Sequence, residues 1–132
     1  MTYSSAASSV SKTNATIQIK QSAIDFGIIP ATESSLPNPA ELFLGSLCAC
    51  ILKNVERFST FMNFTYTHAE IVVNATRLEK PPRMDDIEYV LKIYSPDKNI
   101  NLELLKKNIE KHGTIYNTVK EVCTITGTIT IV

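Results

Sequence analysis

The most reactive groups in this sequence are three thiols, Cys48, Cys50 and Cys123. A thiolate attacks peroxides and disulfides, and a neighbouring cation favours the thiolate over the thiol. The odd number and the absence of metal-ligand spacing argue against a disulfide scaffold or a zinc site. His68 and His112 stand far apart in the chain and make no motif. Free thiols in an intracellular, cytoplasmic protein are the simpler expectation.

Cys48 and Cys50 fall within the strongest helix signal in the chain. Asn38 suits the N-cap, Pro39 suits the first helical position, and Glu41 can reach back to the cap backbone. The helix is expected to run through Leu42 to about Phe61, and its long apolar run suggests burial in the middle of the protein. Helical residues advance by about 100° each, so Cys48 and Cys50 point about 200° apart and cannot pair while the helix is intact. Ser46, Lys53, Glu56, Arg57 and Thr60 share a polar stripe. Cys50 borders that stripe, with Asn54 one turn on and Arg57 two turns on. Cys48 falls among Leu44, Leu52, Val55 and Met62. Cys50 is therefore the reactive candidate, with Arg57 as the cation that would favour its thiolate. Packing is nevertheless the commoner role of a buried free cysteine, and it fits both positions. Glu41 is likewise fully explained as half of a capping box.

The other elements follow from pattern. Thr16 to Lys20 alternates apolar and polar residues as a strand does, and Ala23 to Ile29 reads as a second short strand. Pro30 to Asn38 is a loop. Thr65 to Glu79 and Ile87 to Tyr94 read as the two strands of a hairpin around a Pro81-Pro82 turn. Asn101 to His112 is a second helix, with Leu102, Leu105 and Ile109 on one face. Gly113 is expected to end it as a left-handed residue, and His112 to complement its dipole. Glu121 to Val132, rich in β-branched residues, is a last strand. Strands punctuated by two helices argue for an α+β fold.

The 132 residues are the usual size of one domain, expected over residues 15–132. Residues 1–14 are serine-rich and lack the apolar stretch of a secretory signal; they read as a mobile arm or an edge strand. The sequons at Asn14, Asn63 and Asn74 are then chance matches. Thirteen basic residues balance thirteen acidic ones, which leaves no electrostatic footprint for nucleic acid. No apolar run is long enough to span a bilayer, so no membrane partner is expected.

The run Asn38-Pro39-Ala40-Glu41-Leu42-Phe43-Leu44-Gly45-Ser46-Leu47-Cys48-Ala49-Cys50 resembles the central-helix motif of the OsmC/Ohr family. That motif has an N/S-P-x-E-L start, small and apolar residues, and a cysteine about three turns in. The order of hairpin, helix and last strand also resembles the family, over about Thr16 to Val132. The resemblance implies an intertwined homodimer, an antiparallel sheet wrapped around a long buried central helix, with no cofactor. It places Cys50 on the peroxidatic cysteine. In active members this thiolate attacks a hydroperoxide, preferably organic, and a second cysteine or an external thiol reductant resolves the sulfenic acid. An arginine held by a carboxylate lowers the thiol pKa.

Three positions depart from the family pattern. His112-Gly113-Thr114 matches the turn that normally carries the resolving cysteine, so glycine stands in its place. Ala40 replaces the carboxylate after the motif proline. No arginine precedes Arg57, and Lys20 cannot reproduce a bidentate guanidinium clamp. Three functions are therefore expected to compete. The first is a thiol peroxidase with Cys50 as nucleophile, supported by Arg57 and Glu41. The second is a non-catalytic protein of the same fold holding a small apolar ligand. The third is a dimer whose thiol only senses oxidants. Cys123 is a replacement resolving thiol in the first case, or simply a packed residue.

Overall fold

The computed structural model describes residues 1–132, which form two compact units, Met1–Phe43 and Leu44–Val132. The first holds an antiparallel sheet of β1 (Ala6–Ser9), β2 (Ala15–Ile19) and β3 (Ser22–Phe26) in that order. Ile17 is flanked across the ladder by Ala7 and Ile24. The tight reversals place Lys12 and Lys20 at positive φ, 62° and 53°. Beyond β3, the Gly27 N–H donates to the Pro37 carbonyl at 3.0 Å and closes the loop that leads into helix α1 (Pro39–Phe61).

The start of α1 follows its sequence signal. Asn38 Oδ1 accepts from the Glu41 N–H at 2.9 Å, and Glu41 Oε1 accepts from the Asn38 N–H at 3.1 Å. This reciprocal box satisfies two backbone donors that the helix leaves open, an effect on the order of 1 kcal/mol.

The second unit contains the rest of α1, then β4 (His68–Glu79), β5 (Pro82–Tyr94), α2 (Leu102–His112), α3 (Thr114–Lys120) and β6 (Ile125–Ile131). β5 is the central strand of a sheet ordered β4-β5-β6. The α+β class holds, but the sheet is mixed where an antiparallel one was expected: β6 joins β5 in parallel. A parallel neighbour needs a crossover, and α2 with α3 supplies it.

Each element of this unit turns one face inward. Ile87, Tyr89, Leu91 and Ile93 alternate along β5 and are buried. Leu47, Ile51, Val55 and Phe58 form the matching stripe on α1, spaced three or four residues apart, and Leu105, Ile109 and Val119 close the core from α2 and α3. Each fully buried aliphatic side chain of this kind contributes about 1.5–3 kcal/mol. Lys53, Glu56, Arg57 and Thr60 on the other face of α1 are exposed. Within one chain α1 thus buries a stripe, not the whole circumference that its apolar run suggested. No helix is long and apolar enough to cross a membrane.

Two details differ from the sequence pattern. The segment between Gly113 and Glu121 is helical. Its β-branched Thr114, Ile115, Thr118 and Val119 disfavour helix, but burial of Tyr116 and Val119, three residues apart, outweighs that preference. Gly113 is not left-handed. Its φ is −77°, and it serves both as C-cap of α2 and as N-cap of α3.

The centre of the sheet rests on one close approach. Tyr89 is paired with Gly127 across the β5–β6 ladder, and its ring lies over that glycine where a Cβ would overlap it. Tyr89 has no exposed surface into which the ring could withdraw. Gly127→Ala is therefore expected to destabilise the fold by about 1–3 kcal/mol, the range for overpacking a tight core. Urea denaturation would show this as a lower midpoint at unchanged slope; an unchanged midpoint would refute the packing constraint.

Candidate active site

Cys50 sits in the middle of α1, between the buried Leu47 and Ile51 on one side and the buried Asn54 on the other. It is half-buried and packs against the core. Cys48, two residues earlier, is half-buried and lies outside that cluster. The sequence pattern made Cys48 the packed thiol, but in the structure Cys50 is the one in contact with the core.

The sulfur of Cys50 faces the elbow between α2 and α3. A Cβ on Gly113 would stand 3.0 Å from Cys50 Sγ, 3.0 Å from Tyr116 Cβ and 3.1 Å from the Ile109 carbonyl oxygen. Glycine allows this close approach, and it is not needed for an unusual backbone angle. Asn54, one turn on, donates from Nδ2 to the Cys50 carbonyl at 3.0 Å, and the same nitrogen lies 3.9 Å from Sγ. The sulfur thus meets a backbone elbow and an amide N–H.

The other site residues are placed as follows. Arg57 lies two turns beyond Cys50, and its guanidinium rests over the rings of Phe58 and Phe61, 5.5 and 5.7 Å from their centroids. Glu41 is committed to the capping box. Cys123 lies just before β6 rather than within it, and its Sγ donates to the Met84 carbonyl at 3.3 Å. His112 packs its ring against Phe58, with 5.4 Å between centroids. His68 stacks on Tyr94 at 4.1 Å, on an exposed stretch of the sheet. No three His, Cys, Asp or Glu side chains converge to hold a metal.

Burial disfavours the thiolate at two of the thiols. Burial pushes the Cys48 thiol up, partly offset by a backbone hydrogen bond. Burial also raises Cys123, the negative charge of Asp85 adds to the rise, and Arg83 opposes it.

The sequence profile of the OsmC-like protein family matches residues 32–127, a stretch that contains α1, the hairpin, both later helices and the start of β6. The chain belongs to the OsmC-like protein family. No curated protein matches it by sequence. Its fold is similar to that of an OsmC-like protein from Mycoplasma pneumoniae, with a TM-score of 0.88 at 19% identity, covering 100% of this chain and 98% of the other. An organic hydroperoxide resistance protein OsmC from Legionella pneumophila aligns with a TM-score of 0.70 at 13% identity over 97% of each chain. The organic hydroperoxide resistance protein OhrB of Bacillus subtilis aligns with a TM-score of 0.63 at 15% identity over 97% of this chain and 98% of its own. At these identities the likeness establishes an OsmC-like fold.

Sequence reasoning located Cys50 and Asn54 and noted the glycine at 113. It missed Tyr116, because α3 carries no cap or amphipathic signal of its own. It also missed Glu110, which shows in sequence only as an acidic residue four after Lys106.

With Cys50 replaced by serine, only the two raised thiols remain. Their alkylation rate should climb with pH toward a midpoint above the ordinary cysteine value of about 8.5. A midpoint at or below that value would contradict the burial described for both.

Proposed function

We propose that this OsmC-like chain is a thiol-dependent reductase of organic hydroperoxides, with Cys50 as the attacking thiol and an external thiol as the resolving partner. One observation carries the proposal: the motif cysteine places its sulfur at the α2–α3 elbow beside an amide donor, and the residue facing it is glycine. The structural relatives described as organic hydroperoxide resistance proteins support the same chemistry.

The steps balance as follows. The Cys50 thiolate attacks the outer oxygen of R–O–O–H, the O–O bond breaks, and the alkoxide leaves and takes a proton to give ROH. Cys50 becomes a sulfenic acid, oxidised by two electrons. A first external thiol condenses with it, releasing water and forming a mixed disulfide. A second external thiol attacks that disulfide, frees Cys50 and leaves as the oxidised reductant. Neither Cys48, on another side of the helix, nor Cys123, held to Met84, takes part. Glu41 contributes by fixing the start of the helix that carries Cys50. Arg57 contributes positive charge two turns away. Exposed Phe61 and Val122, each 72% accessible, supply apolar surface for the homodimer that we take as the working unit. Three free thiols suit a reducing compartment such as the cytoplasm.

Steady-state consumption of an organic hydroperoxide with a dithiol should disappear in Cys50→Ser and persist in Cys48→Ser. Equal loss in both variants, or in neither, would count against Cys50. A second variant probes the elbow. The Cβ–S distance across a disulfide is about 3 Å, given an S–S bond of about 2.05 Å. That matches the 3.0 Å between a Cβ at Gly113 and Cys50 Sγ. Gly113→Cys treated with hydroperoxide should therefore lose two hydrogens in an internal disulfide to Cys50. A free introduced thiol beside an oxidised Cys50 would show that the sulfur does not face the elbow.

A further inference from the structure

Helix α1 buries two polar side chains, Asn54 and Ser59. The Ser59 hydroxyl donates to the Glu56 carbonyl at 2.7 Å and is satisfied within the helix. Asn54 differs. It is 8% exposed, and its amide nitrogen carries two hydrogens. One goes to the Cys50 carbonyl at 3.0 Å. The same nitrogen lies 3.9 Å from Cys50 Sγ, so the second hydrogen has the thiol as its partner. A carbonyl oxygen can only accept, so the first bond also fixes which end of the amide faces the cysteine.

Stability does not call for an amide at this place. Asparagine favours helix less than leucine does, and burying an amide is unfavourable unless it is hydrogen-bonded. The Cys50 carbonyl lies within the helical ladder and has the backbone N–H of residue 54 as its regular donor. An apolar side chain of similar size would fill the position without those costs. What the amide adds is a donor at the sulfur. Residues four apart share a helix face and side chains lean toward the N-terminus, so position 54 is the one from which a short amide reaches back to residue 50. Arg57, the cation two turns beyond Cys50, rests instead over the rings of Phe58 and Phe61.

We propose that Asn54 is a catalytic residue of this site, donating its second amide N–H to the Cys50 sulfur as that sulfur takes up negative charge. The proposal deepens the reading of Cys50 as the attacking thiol and rests on it. A hydrogen bond to the charged form of a group favours that form. Charge-assisted hydrogen bonds are also shorter and stronger than neutral ones, so the contact tightens when the thiol ionises. The donor is neutral and buried, and it needs no movement of the helix to act.

The test compares Asn54→Leu and Asn54→Ser with the native protein in the full chain, each first checked for cooperative unfolding. Leucine removes both donors. Serine has one hydroxyl hydrogen, which a helical serine gives to the carbonyl four residues back; it keeps the bond to the Cys50 carbonyl and loses the one to the sulfur. Two readouts are taken: the iodoacetamide rate at each cysteine, resolved by peptide mass, and kcat/KM for an organic hydroperoxide. Near neutral pH both variants should slow Cys50 by about threefold or more, leave Cys48 and Cys123 within about twofold, and lower kcat/KM by about three- to tenfold. In alkaline buffer, where thiolates form without help, the Cys50 rates should converge. A serine variant whose Cys50 reacts as fast as the native thiol, or faster, overturns the proposal, because the amide then serves the carbonyl alone. So does a slowing of Cys50 that persists in alkali, which is a change of access, and so do equal changes at all three thiols, which signal general loosening. If the leucine variant does not fold, the serine variant decides alone. A native protein without turnover would remove the hydroperoxide chemistry, while the alkylation rates would still decide whether the amide serves the sulfur.

Discussion

The approach of the α2–α3 elbow to the middle of α1 is the constraint on which the site depends. A thiol and the base of a tyrosine side chain each stand 3.0 Å, and a backbone carbonyl oxygen 3.1 Å, from the place that a Cβ on Gly113 would take. A Cβ placed there would need these neighbours to give way slightly. This approach determines the chemistry open to the thiol. A side chain at that place would either fill the space over the sulfur or, were it a cysteine, be within bonding distance of it. Glycine leaves the sulfur without a second thiol at this place.

The packing behind the elbow shows how a small unit holds such a contact steady. The inward faces of β5, α1 and α2 supply a continuous apolar core. That core is non-directional and would tolerate small slides of α3. The hydrogen bond from Tyr89 to Glu110 is directional, and it is anchored where the sheet is least able to give, over Gly127. Apolar burial supplies most of the stability, and the hydrogen bonds select one arrangement of the corner.

Much of this was legible in the sequence because it is local. The capping box from Asn38 to Glu41, the length of α1, the hairpin and the Asn101 start of α2 each announce themselves through residue types at fixed spacing. The motif around Cys50 pointed to the family. What could not be read is non-local. Helix α3 forms against its own β-branched residues because Tyr116 and Val119 are buried by the rest of the unit. The parallel seat of β6 depends on where the crossover returns. The role of Gly113 looked like a left-handed stop, and only the proximity of Cys50 reveals a close approach instead. Glu110 showed only as an acidic residue four after Lys106, because its partner Tyr89 lies on another element.

The central claim is that Cys50, and no other thiol, reacts with a hydroperoxide. The most direct measurement adds one equivalent of an organic hydroperoxide to the fully reduced native protein, traps sulfenic acid with a selective nucleophile, and maps the adduct by peptide mass. The account predicts consumption of the hydroperoxide with the adduct on Cys50 and little on Cys48 or Cys123. Unconsumed hydroperoxide, or an adduct concentrated on either of the other two cysteines, would contradict it.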